Sequence, residues 1–144
     1  MVIDKQDYTY TVKTRERKRI INKITSALQG KKGIRFAFLH GSFAENRPFH
    51  DVDVAVYFDT NVSAEDRMAI CMRLSTQLTA DLQLPVDINE LNGASPSFAY
   101  HASCGEILFC RDLEEVYEYK ERVWITYMDF YPFLKQNLLD LLEV

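Results

Sequence analysis

Asp51 and Asp53 stand two residues apart at the start of an apolar run that continues through Val54, Val56 and Phe58. Side chains alternate along a strand. On an extended backbone the two carboxylates therefore share one face, and Val52, Val54, Val56 and Phe58 take the other. Just upstream, an apolar stretch beginning at Phe36 ends in Gly41-Ser42, and a polar loop joins the two runs. Paired carboxylates beside a turn with accessible backbone are what a magnesium–nucleotide site needs. Mg²⁺ takes hard oxygen ligands and shares them between one or two carboxylates and the phosphates of a substrate. The turn offers N–H groups to those phosphates. A D-x-D alone describes solvated residues at a strand start equally well, and a lone Gly-Ser says less still. The order strand, Gly-Ser, loop, D-x-D, strand is far more specific than either.

A third carboxylate lies downstream. In Leu84-Pro85-Val86-Asp87-Ile88-Asn89 the apolar Val86 and Ile88 share one strand face, and Asp87 and Asn89 share the other. If this strand pairs beside the D-x-D strand with its polar face aligned, Asp87 joins Asp51 and Asp53. Three clustered carboxylates repel one another and call for cations. Two metal ions roughly 3.5–4 Å apart, clamping an in-line phosphoryl displacement, are the natural neutralisers.

With these residues in place, the chain resembles the minimal nucleotidyltransferases (MNT) of the DNA polymerase beta superfamily, of the HEPN–MNT antitoxin type. The matching pieces are FAFLHGSFAENRPFHDVDVAVYF, LPVDINELN and SCGEILFCRD, within residues 34–112. The aromatic C-terminal segment also resembles the end of MNT antitoxins. The resemblance implies an α/β fold, a small mixed sheet flanked by helices. It implies that Gly41 and Ser42, with Arg47 beyond them, hold the nucleotide phosphates. Asp51, Asp53 and Asp87 would bind two Mg²⁺ ions and form the catalytic set, with Asp87 near the acceptor hydroxyl. It implies AMP transfer from ATP, and a HEPN toxin, a ribonuclease, as the partner that is bound and adenylylated. The chain departs from the family pattern in three places. Its loop from Ser42 to Asp51 is shorter, His50 stands where Ser is common, and Glu45-Asn46 replace the usual Arg-Gly. Glu45 is expected to face solvent, away from phosphates it would repel.

Length and composition frame this reading. At 144 residues the chain suits a single nucleotidyltransferase domain over 1–144, with its catalytic core at about 34–112 and a helical segment at about 112–144. No stretch approaches the ~20 apolar residues of a membrane span, and the first residues lack the apolar run expected of a signal peptide. Cys71, Cys104 and Cys110 are odd in number and form no C-x-x-C, which suits reduced thiols in a cytoplasmic protein. The net charge of −4 argues against a general nucleic-acid binder. With no segment left to grip a duplex, a protein side chain or a small molecule is the expected acceptor. Lys13, Arg15, Arg17, Lys18, Arg19, Lys23, Lys31, Lys32 and Arg35 nevertheless crowd the first quarter. They read as a solvated helix face, or as a field drawing ATP or an RNA-bearing partner.

The elements that must position the carboxylates follow from periodicity. Residues 1–10 carry no clear pattern beyond Tyr8 and Tyr10 alternating among polar residues. Residues 12–29 read as a helix with Ile20, Ile21, Ile24 and Leu28 on one side, closed by Gly30. Strands are expected at 34–40, 51–58, 86–91 and 106–110. Ser63 and Asp66 resemble a capping box for a helix to about 83, whose stripe of Met68, Cys71, Met72, Leu74, Leu78 and Leu82 reads as core. Ser95-Pro96 opens a short helix to about 103. A long helix follows from about 112, with a break expected near Pro132.

The remaining signals are weaker. His40 adjoins Gly41 and His50 adjoins Asp51, so each has a reading as a phosphate or carboxylate neighbour beside a plain packing role. His101 reads as structural, and the histidines supply no consistent zinc set. The last helix carries Tyr117, Tyr119, Trp124, Tyr127, Met128, Phe130, Tyr131 and Phe133 on more than one face. That suits a protein interface, with a partner or between identical copies, as well as internal packing. Two further functions stand beside the enzyme that modifies its toxin. One is an antitoxin that neutralises by contact alone. The other is a small-molecule adenylyltransferase, whose kind usually carries an additional helical domain.

Overall fold

The computed structural model describes residues 2–4 and 9–142. Tyr8 and the expected domain limits at 1 and 144 lie outside the described residues. A short antiparallel pair, β1 (Val2–Asp4) and β2 (Thr9–Thr11), precedes helix α1 (Thr14–Gln29). Then come β3 (Ile34–His40), the one-turn helix α2 (Gly41–Ala44), β4 (Val52–Phe58), α3 (Ala64–Leu82), β5 (Val86–Glu90), α4 (Pro96–Ser103), β6 (Glu106–Cys110) and α5 (Leu113–Leu142). The main sheet has the order β5-β4-β3-β6. β3 runs antiparallel to both β4 and β6, and β5 runs parallel to β4 across the α3 crossover. This is the small mixed sheet flanked by helices that the sequence implies.

Both sheet faces are covered. α1 and α3 lie on one face, where Ile20, Ile24, Leu28, Val54, Val56, Leu74 and Leu78 form the larger core. The alternate residues of the same strands point the other way. There Phe36, Phe38 and Ala55 meet Ala102 of α4 and Val116 and Tyr119 of α5. Tyr57 stacks on Phe36 at 4.8 Å between ring centroids, and Tyr119 leans on both. Arg35 ties β3 to α5, its Nε donating to Glu115 Oε1 at 2.9 Å. Among the described residues no helix is long and apolar enough to cross a membrane.

Helix boundaries follow local chemistry. Ser63 Oγ accepts from the Asp66 N–H at 3.2 Å, and Ser95 Oγ accepts from the Phe98 N–H at the same distance, so both expected caps are in place. Gln83 adopts the left-handed conformation that ends α3.

The structure departs from expectation in four places. β1 and β2 occupy a stretch with no strand pattern, held to the main body by the Tyr10–Phe49 bridge. Gly41-Ser42 opens a helical turn rather than a plain loop turn. Met68 and Met72 leave the core stripe of α3 and are 65% and 64% exposed. Beside the buried Cys71–Leu74–Leu78–Leu82 line, they border a hollow with Asp87 and Asn89 of β5. Finally, α5 runs through Pro132 without a break. Proline's fixed φ is itself helical, so one proline removes the hydrogen bond to the Met128 carbonyl without ending the helix.

Gly105, between α4 and β6, has no room for a side chain. A Cβ there would sit 2.1 Å from the Leu39 carbonyl oxygen, a backbone atom of a central strand. Gly105→Ala is expected to cost at least about 2 kcal/mol of folding stability, read as a lower urea midpoint at unchanged slope. An unchanged midpoint would mean that β6 does not pack this closely on β3.

Candidate active site

The strand ladder builds the site. Asp53 on β4 pairs with His40 at the end of β3 and with Asp87 on β5. The parallel β4–β5 register sets Asp53 and Asp87 side by side on one sheet face, and Asp51 precedes the strand on the same side. One carboxylate oxygen from each of Asp51, Asp53 and Asp87 lies within 4.8 Å of the others. Asp51 and Asp53 are half-buried and Asp87 is exposed, so the cluster opens outward. The three aspartates singled out in the sequence are thus brought together.

Gly41 is shaped by this cluster. Its φ is +79°, and a Cβ would lie 2.4 Å from Asp53 Oδ2. Only glycine allows the chain to turn here while the carboxylate packs against it. Ser42 follows in α2, whose first N–H groups have no intrahelical acceptor. The far end of α2 is secured by Arg17 of α1. Its guanidinium donates to the carbonyls of Phe43 and Ala44, the latter at 3.2 Å, and lies 4.6 Å over the Phe43 ring. In the sequence Arg17 stands in the basic run that reads as a solvated helix face or as a field drawing ATP or an RNA-bearing partner. Nothing local marks it, because its partners stand 26 and 27 positions away.

Arg47 is placed differently from the other expected phosphate contacts. It is exposed, pairs with Glu45, and lines a small hollow with Arg17, Phe43 and Phe49 rather than the aspartate cluster. Glu45 is exposed, as expected. Beside Gly41 a separate hollow of about 200 Å³ is lined by His40, His101, Cys104 and Glu106.

The electrostatics record the crowding. The Asp53 carboxyl is pushed up to about 6, first by burial, then by the charge of Asp51, a hydrogen bond with it, and the charge of Asp87. A carboxylate so reluctant to ionise gains from a cation. The donor set, three carboxylates converging beside the first turn of α2, fits a hard divalent ion carrying phosphates. His40 is held below its ordinary pKa by burial, against the opposing pull of Asp87 and Asp51. Its Nε2 is buried without a hydrogen-bond partner among the described residues, and its ring stands edge-on to Phe98. His50 is exposed, and His101 packs edge-on against Tyr100 and Tyr127. The Cys71 thiol is pushed up to about 12, chiefly by burial, which makes it inert core.

The chain is similar in structure to the MNT antitoxin solved with tri-AMPylated HEPN toxin from Shewanella oneidensis, at TM-score 0.70 and 18% identity over 89% of this chain and 99% of that one. It is similar to the MntA–HepT toxin–antitoxin structure at TM-score 0.69 and 18% identity, covering 88% of this chain and 99% of the other. A toxin–antitoxin structure with AMP-PNP matches at TM-score 0.70 and 18% identity, covering 86% and 98%. At such identities the likeness is one of fold. No curated protein matches the chain. The family model for Polymerase beta, Nucleotidyltransferase matches residues 22–114, from within α1 to the start of α5 and across every strand of the main sheet, and the chain belongs to that family.

Proposed function

We propose that the chain is a Mg²⁺-dependent nucleotidyltransferase that moves AMP from ATP to a hydroxyl of a protein, and that the protein is a HEPN-type toxin to which it is the antitoxin. On this reading residues 1–144 act as one nucleotidyltransferase domain. The observation that carries the proposal is the convergence of Asp51, Asp53 and Asp87 within 4.8 Å, beside a glycine turn that no other residue fits. Asp51 and Asp53 hold the divalent ions, with Asp87 as the third ligand. When bound, such ions would supply Lewis-acid charge to the transfer. Gly41 and Ser42 present backbone N–H groups to the phosphates. Arg47, released from Glu45, supplies further positive charge. Asp87, the most open of the three, orients the acceptor hydroxyl. Support for the partner comes from the similar antitoxins, which were solved in complex with HEPN toxins.

A second reading, neutralisation by contact alone, is favoured by α5. Beyond its packed first half, Tyr131 and Phe133 are 49% and 59% exposed. Trp124 is partly committed inside the chain, its Nε1–H donating to Ser103 Oγ at 3.1 Å, so the residues after it form the better docking face.

Asp51→Asn or Asp53→Asn is expected to lower AMP transfer by at least about 100-fold while the fold survives. Release of labelled pyrophosphate in the presence of the partner measures it, and full turnover by the double variant would end the catalytic reading. The aspartate charges also predict a pH effect. Asp53 has its folded pKa raised from 3.8 to about 6, so the folded state holds the proton more tightly. Its stability contribution is complete below the unfolded pKa and is lost as pH rises through about 6. Asp53→Asn is therefore expected to stabilise the metal-free protein near neutral pH by about 1 kcal/mol, a figure already reduced for solvent screening. The gain should vanish near the unfolded pKa, and a thermal melt series over pH checks both. For the partner, Tyr131→Ala combined with Phe133→Ala should weaken association by about 2 kcal/mol and leave Mg²⁺–ATP affinity unchanged. Calorimetry with each ligand separates the two effects.

A further inference from the structure

β5 is an edge strand, and only one of its backbone sides meets β4. The Val52 N–H donates to the Pro85 carbonyl at 2.8 Å and the Leu91 N–H to the Val56 carbonyl at 2.7 Å. By the alternation of a parallel ladder, the backbone groups of residues 86, 88 and 90 then point outward. Helix α3 closes the first half of that outer edge. The Val86 N–H donates to Thr79 Oγ1 at 3.0 Å, and the Ile88 N–H donates to Ser75 Oγ at 2.9 Å. The second half is open. The Ile88 carbonyl and the Glu90 N–H have no hydrogen-bond partner among the described residues. They border a hollow of about 450 Å³, lined by Met68, Met72 and Thr76 of α3 and by Asp87 and Asn89 of β5. The two methionines are the exposed members of an otherwise buried stripe.

We propose that this hollow seats an extended segment of the acceptor protein, which adds to the sheet as a short strand on β5 and delivers its hydroxyl to Asp87. The inference rests on the nucleotidyl-transfer reading above and adds how the acceptor polypeptide is held. One residue of a chain running parallel to β5 both donates to the Ile88 carbonyl and accepts from the Glu90 N–H. Main-chain pairing of this kind gives affinity, and neighbouring pockets give selectivity. Met68 and Met72 supply an adaptable apolar wall for alternate side chains. The hollow is continuous with the candidate active site, because Asp87 belongs to both. At about 3.3 Å per residue, Glu90 and Asp87 lie some three residues apart along the seated chain. A Ser, Thr or Tyr at that spacing places its oxygen at the carboxylates. That oxygen bonds to the α-phosphorus of ATP, the bond to the bridging oxygen breaks, and pyrophosphate leaves. The hydroxyl proton is lost to solvent. A small-molecule acceptor has no use for an unpaired strand edge.

The test uses an array of short peptides of varied sequence, each with one Ser, Thr or Tyr, incubated with the full chain, Mg²⁺ and ATP labelled at the α-phosphate. Glu90→Pro removes the outward N–H and leaves the β4-facing ladder intact, since proline is tolerated on the free side of an edge strand. It also removes the ion pair in which Arg67 Nε donates to Glu90 Oε2 at 2.9 Å, so Glu90→Ala, which loses only that pair, is the control. Met72→Glu places a charge in the hollow without touching β5, and it decides the matter if Glu90→Pro fails to fold. The expected result is labelling of a subset of peptides by the wild type and by Glu90→Ala. Glu90→Pro and Met72→Glu should label about tenfold less, with Mg²⁺–ATP affinity unchanged. Wild-type labelling by Met72→Glu or by folded Glu90→Pro overturns the proposal. So does a wild type that binds Mg²⁺–ATP and labels no peptide, a result that leaves the nucleotide site standing. Absence of Mg²⁺–ATP binding removes the nucleotidyl-transfer reading itself, and this inference with it.

Discussion

Three carboxylates within 4.8 Å must be held together against their own repulsion, and the backbone of β4 does the holding. Asp53 sits in a central strand with a partner on each side, His40 on β3 and Asp87 on β5. A slip of one residue in either ladder would send a carboxylate to the apolar face and Val52 or Val54 to the polar one. The core therefore pins the register, because Val52, Val54, Val56, Val86 and Ile88 are all buried against α1 and α3. Hydrophobic burial on one face fixes the charges on the other. The raised pKa of Asp53 is the residue of that bargain, a repulsion left for a cation to relieve.

The same constraint shapes what surrounds the cluster. Asp53 occupies the space in which a side chain at residue 41 would stand, so the turn after β3 must be glycine and must be tight. A one-turn helix is poorly stable alone, since few of its hydrogen bonds close. α2 is instead braced from outside: Phe43 is buried against Phe49, and Arg17 holds the carbonyls at its end. The Gly41–Ser42 turn is thus anchored by α1.

What was legible in the sequence follows from the range of the forces involved. Alternation along a strand is a local rule, so the shared face of Asp51 and Asp53 and the polar face of Asp87 could be read directly. The caps at Ser63 and Ser95 are also local, and both formed. Arg17 could not be read, because its role depends on a carbonyl 26 residues away. Met68 and Met72 were misplaced because helical periodicity gives a face but not where the underlying sheet ends. The pairing of Arg47 with Glu45 could not be read either, because it depends on how the loop after α2 folds. Pro132 was expected to break α5, but proline's effect on a helix depends on packing the sequence does not display.

The length of α5 decides how much of it the domain can use. Its 30 residues span about 45 Å at the usual helical rise. β3 and β4, with 7 residues each, span only about 23 Å. The first part of the helix fills its share of the sheet through Val116, Tyr119 and the Arg35–Glu115 pair, and Tyr127 still reaches α4 by stacking on Tyr100 at 4.0 Å. Beyond that point the sheet has ended. Tyr131, Phe133, Leu138 and Leu141 remain exposed, because none of the described residues covers them. Exposed aromatic and aliphatic side chains in such number suit a partner surface. The argument is independent of the aspartates, so the case for a protein partner and the case for nucleotide chemistry stand on different residues and fail separately.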